Sequence, residues 1–255
     1  MNTDTAVRPD LSHLFAAEWL KVRTLRSFRA CALAAVILAV GGAALAGAAY
    51  TDSAFAEGLT ARDAATDVFS WATAVLQIPV LVLGVLVLGS EFSGGAIRVT
   101  FVAVPRRLRV IAAKALVVAA ASALLATVSL GLGYAAAVPL LSRAKLADVP
   151  FGTVLSLLAG QIGYCVLVGL FAYAVTLLVR NTAAGVGLTL GVLLLLRLVL
   201  AVLDIWVRFD LTGLAFSAAA SQVVTDPFSR ALPVVVAWLA VPATLGALAL
   251  VRRDA

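Results

Sequence analysis

What this chain has least of is charge. Only 13% of its 255 residues are Asp, Glu, Lys or Arg, about half the share of a soluble domain. It is 63% hydrophobic, with a mean hydropathy of +1.10. Such a surface cannot be wetted, which excludes a soluble fold and leaves a polytopic membrane protein. The apolar runs are continuous rather than alternating, which excludes a β-barrel.

Catalytic equipment is equally scarce. There is one histidine, His13, and no Ser/His/Asp set or carboxylate pair at membrane depth. Membrane protease, metal transporter and intramembrane transferase all lack their residues. No Gly-x-x-x-x-Gly-Lys-[Ser/Thr] occurs, so the chain has no ordinary way to cradle a nucleotide and is not read as an enzyme. Cys31 and Cys165 both sit inside apolar runs without metal spacing and read as packing residues. No Asp, Glu or His lies well inside a span, which weighs against a proton-coupled secondary transporter.

What is present is basic charge beside long apolar runs. The net charge is +6, and its placement next to spans explains it without nucleic acid. Arginine far outnumbers lysine, and alanine and glycine abound, a composition in keeping with a GC-rich bacterial source.

The expected fold is all-α, with six transmembrane helices. Residues 1–29 form a polar tail and an amphipathic interfacial helix starting at Leu11, with Asp10 as its cap. Leu11, Leu14, Phe15, Trp19, Val22 and Leu25 share one face of that helix. Glu18 sits inside the stripe, either snorkelling or paired with a basic residue of the same membrane face. Residues 30–255 form the membrane domain. Spans fall at about 30–49, 69–88, 115–141, 154–179, 183–203 and 231–251. The first is read as uncleaved, because the leader before it is too long for an ordinary signal peptide. Pro79 is expected to kink or unwind the second span, and Pro242 to bend the sixth, while Pro233 suits that helix's first turn. Residues 204–230 read as short helices dipping back into the outer interface. The Gly187–Gly191 spacing permits close helix approach.

Orientation follows from counting. With the N-terminus inside, thirteen basic residues fall on the inner face and five on the outer. Both termini are therefore expected in the cytoplasm of a bacterial cell. Arg197 is the one charge well inside a span. It either snorkels or pairs with Asp204, or else contacts an anionic or polar substrate; Gln77 and Gln161 line a pathway or hydrogen-bond between helices. The acidic loop at 50–68 hints against an anionic substrate.

One cytoplasmic stretch organises the rest, the coupling loop at 89–114. Gly94 and Gly95 can turn the chain. Ile97, Phe101 and Val104 then form a short apolar ridge beside Arg98, suited to a groove on a soluble partner. Pro105 ends it, and Arg106, Arg107 and Arg109 anchor the next span.

Taken together, these segments resemble the permease subunits of the ABC type-2 exporter family. Glu18-Trp19-Leu20-Lys21-Val22-Arg23-Thr24-Leu25-Arg26-Ser27 resembles that family's connecting helix. Gly89 through Arg98, with Glu91, resembles its segment after the second span. Val104 through Val110, with Lys114, resembles the start of its third. Ser93-Gly94-Gly95 departs from the expected Gly-Thr pair, which points to a softer turn. The resemblance implies a permease without its own ATPase or cofactor, with ATP and Mg bound by two copies of a separate ATP-binding-cassette subunit. It also implies a second permease chain, and a coupling helix at about 96–104 that the ATPases push. Glu91 would pair with Arg23 or Arg26. The cargo would be a lipophilic or peptide-like drug, antibiotic or lipid. A non-transporting immunity or assembly factor is the alternative, with a secondary transporter behind it.

Overall fold

The computed structural model describes residues 11–51, 58–93, 107–207, 211–226 and 229–253. The described residues are helical, with short connections, and no strand occurs among them. Nine α-helices follow in order. They are α1 (Leu11–Thr24), α2 (Arg26–Ala49), α3 (Ala61–Ser93), α4 (Arg107–Arg143), α5 (Phe151–Val179), α6 (Thr182–Leu190), α7 (Arg197–Val207), α8 (Phe216–Thr225) and α9 (Leu232–Arg253). A π-helical stretch, Gly191–Leu196, joins α6 to α7, and a 3-10 turn, Thr212–Leu214, precedes α8. Among the described residues six helical segments are long and apolar enough to cross a membrane, the number expected. The spans begin earlier than the apolar runs suggest. Helix α3, for instance, starts at Ala61 rather than near Phe69, because polar residues at a span's mouth continue the helix into the interface.

Helix α3 is the centre of the bundle, packing against α2, α4, α5 and α6. In its apolar window 67% of residues are buried, against 11% for the fifth span and 17% for the sixth. With no hydrophobic drive between helices in lipid, close backbone approach must hold them. Small residues supply it. Ala35, Ala39 and Ala43 of α2 are fully buried. A Cβ on Gly42 would meet the Trp71 carbonyl at 3.0 Å. The tightest crossing joins α3 to α5, where a Cβ on Gly84 would lie 2.4 Å from the Gly169 carbonyl oxygen.

Several expectations change on contact with the fold. Pro79 does not unwind the second span, since α3 is continuous through it. Gly187 and Gly191 approach nothing, for a Cβ on either meets no atom within 4 Å. Their spacing alone did not reveal which face of α6 turns inward; Gly185 and buried Thr189 do that. Helix α1 does not simply lie in the interface. Val22 is 3% exposed, Phe15 stacks on Trp19 at 6.0 Å, and the apolar face packs against α4. The segment 204–230 holds short helices as expected. Phe216 of α8 is fully buried against Phe171 of α5, with ring centroids 4.4 Å apart.

Candidate functional site

Two sites stand at opposite ends of the bundle. The first lies where α1 meets the start of α4. Lys114 is two turns into α4 and only 2% exposed, and its Nζ donates to the Glu18 carboxylate at 2.6 Å. A buried cation at this depth requires a counter-charge, and Glu18 is the residue of α1 that supplies it. One turn before Lys114, the Ile111 carbonyl accepts a hydrogen bond from the Tyr173 hydroxyl at 2.9 Å. The first turns of α4 are thus tied to both α1 and α5. Nearby, α5 closes on Arg180 in the left-handed region (φ 57°), and Asn181 caps α6 by accepting from the Ala184 amide at 3.0 Å.

Of the connecting-helix residues, Glu18 pairs as one of its two readings proposed. The structure names the partner, which is Lys114. Trp19 is stacked inward, and Lys21, Arg23 and Arg26 are exposed. The side chain of Glu91, and with it the expected pairing with Arg23 or Arg26, lies outside the described residues. Glu91 lies in the last turn of α3. Gly94, Gly95, Ile97, Arg98, Phe101 and Val104 fall outside the described residues. Lys114 was missed as a site residue. Its signal was legible: a lone lysine within an apolar run demands a partner.

The second site lies at the end of the bundle away from α1. There α3, α5, the π stretch, α7 and α8 enclose a cavity of about 370 Å³. Its walls bring together Gln77, Gln161 and Arg197, the three polar residues singled out from the sequence, with Tyr164, Thr73 and Ser217. Tyr164 donates to Gln77 Oε1 at 2.9 Å, and Gln77 Nε2 donates to the Ala74 carbonyl at 2.9 Å. Arg197 does not pair with Asp204. That carboxylate accepts from the Leu211 amide at 2.6 Å, the Thr212 amide at 3.0 Å and the Thr212 hydroxyl. It holds the turn that brings α8 back into the bundle. A charge at mid-span costs about 2.5–3.5 kcal/mol on insertion, and Arg197, itself exposed, carries that cost while lining the polar cavity. The π stretch just before it is the kind of irregularity that recurs at functional sites.

The fold defines an all-α multi-pass membrane protein. No enclosed metal cluster accompanies it among the described residues. The sequence profile of the ABC-2 family transporter proteins matches residues 14–196. The chain belongs to that family, whose members are membrane subunits that work with an ATP-binding-cassette partner. No curated protein matches it.

Proposed function

We propose that this chain is the permease of an ATP-driven exporter in a bacterial cytoplasmic membrane. Both termini face the cytoplasm. Two copies of a separate ATPase, which bind the ATP and Mg, dock on that face, and a second permease chain completes the pathway. The cargo is lipophilic or peptide-like.

The observation that carries this reading is the buried Glu18–Lys114 pair. The segment proposed to meet the ATPase, 96–104, leads directly into α4. A push on it would reach the first turns of α4, and through Lys114 the connecting helix would move with them. Removing one partner breaks a buried ion pair, at a cost of about 3–5 kcal/mol. The pair therefore suits a stiff junction rather than a sliding one.

The test uses the chain reconstituted with its ATPase in inside-out vesicles, reading uptake of a lipophilic fluorescent dye. Uptake should need ATP and should not follow a proton gradient alone. Glu18→Gln and Lys114→Gln should each cut uptake about ten-fold while hydrolysis persists, and the exchanged pair Glu18→Lys with Lys114→Glu should recover part of it. Phe101→Asp should likewise uncouple hydrolysis from uptake. Full uptake by both single variants would remove the lever, and gradient-driven uptake without nucleotide would remove the exporter.

A further inference from the structure

The cavity at the end away from α1 holds more donors than its own residues use. Ser and Thr hydroxyls in these helices usually bond back to a carbonyl four residues earlier, as Ser70 does to Thr66, Thr176 to Ala172 and Thr189 to Gly185. Thr73 and Ser217 do not. They are 4% and 5% exposed, and neither hydroxyl oxygen has a partner. A buried hydroxyl without a partner is costly in an apolar setting, so two of them in one cavity wall call for something to fill it. Gln161 and Arg197 line the same space and form no hydrogen bond or ion pair among the described residues.

The set has one sign. One guanidinium, one amide and two hydroxyls converge, and no carboxylate lines the cavity among the described residues. Guanidinium forks match planar or tetrahedral oxyanions through paired N–H bonds. The acidic loop stands on the same side, where Asp63 accepts from the Thr60 hydroxyl and Asp67 from the Tyr50 hydroxyl. The site is also at membrane depth, in the half of each span nearer that loop. On the other side of the π stretch runs an apolar groove of about 620 Å³, walled by Phe171, Val192 and Trp238. Val192 faces that groove, and its neighbour Leu193 faces the polar cavity.

From this we infer that the cavity is a binding site for an amphiphile with an anionic phosphate or carboxylate head. Arg197 takes the head by a paired hydrogen bond, Thr73, Ser217 and Gln161 complete it, and the tail runs out past Leu194, which lines the cavity and is 47% exposed, toward the lipid. Calling this amphiphile the cargo rests on the permease reading. Binding itself does not.

The test is calorimetric titration of the purified full chain in an uncharged maltoside detergent. The probes are decyl phosphate, inorganic phosphate and decyltrimethylammonium. Decyl phosphate should bind about ten-fold or more tighter than either other probe. Arg197→Gln should weaken it about ten-fold, and Thr73→Val with Ser217→Ala about three-fold, because these remove donors without removing charge. Should Arg197→Gln fail to elute as one species, Arg197→Lys keeps the charge, lacks the fork, and should weaken binding about three-fold. Equal binding of the ammonium probe overturns the anion site. Inorganic phosphate binding as tightly as decyl phosphate overturns the amphiphile. Unchanged affinity in the Arg197 variant and the hydroxyl double variant overturns the site as a whole. No ATPase is needed, so failure here leaves the permease reading standing, and loss of ATP-driven uptake with binding intact leaves this site standing.

Discussion

Replacing Gly84 with Ala tests how the bundle is held together. The added Cβ would sit 2.4 Å from the Gly169 carbonyl oxygen, 3.1 Å from its carbon and 3.2 Å from the Ala172 Cβ. Ordinary contact begins near 3.4 Å, so α3 and α5 must part by about 1 Å, and the blocking atoms are backbone that cannot rotate away. Overpacking of this kind costs about 1–3 kcal/mol, and this site belongs at the upper end, since α3 is the most buried of the spans. Gly187→Ala is the matched control. Nothing lies within 4 Å of its Cβ, and an alanine in a helix interior gains roughly 0.5–1 kcal/mol over glycine. The two variants should therefore differ by about 2–4 kcal/mol with opposite signs. Unfolding in mixed detergent and dodecyl sulfate micelles, followed by circular dichroism, measures the difference. Equal stability of Gly84→Ala and Gly187→Ala would refute the claim that backbone contact at this crossing holds α3 to α5. Gly169→Ala refines the argument. Its Cβ would meet Ser122 Oγ at 2.4 Å, the tip of a side chain that can turn away, so it should cost less than Gly84→Ala.

Two other perturbations have directions set by the structure. Burial, with a hydrogen bond to Asp67, pushes the Tyr50 hydroxyl up to about 12. The fold thus favours neutral Tyr50. Its contribution is whole below the ordinary tyrosine value near 10 and is lost as pH rises through about 12; ultraviolet titration against Tyr50→Phe should show one tyrosinate step near pH 12 missing. Asn181→Ala removes the cap of α6 and should cost about 1 kcal/mol in the same unfolding assay, with Asn181→Ser largely restoring it.

How much of this was legible beforehand differs between fold and site. The six spans, the short helices after Asp204 and the helical stretch before the first span could all be read from runs of apolar residues and their period. Those features depend on local composition, because lipid forces each spanning segment to satisfy its own backbone. The three residues Gln77, Gln161 and Arg197 could be picked out as polar groups in apolar helices. Their convergence could not, since they lie on three different spans and no local rule sets the rotation of one span against another. The same ignorance produced the wrong partner for Arg197. Asp204 lies on its face of the helix at i+7, yet its carboxylate is taken by the Leu211–Thr212 turn, which a one-dimensional pattern does not place.

The amino-acid sequence by itself determined that this protein lives in a membrane and crosses it six times, since charge density and span length answer to the solvent alone. Only the tertiary structure decided which groups meet. It joined Glu18 to Lys114, residues far apart along the chain, and set Arg197 beside two buried hydroxyls without partners. The physical reason is that a helix in lipid chooses its neighbours by backbone fit, at places such as Gly84 against Gly169, and polar side chains are carried to their partners by that choice.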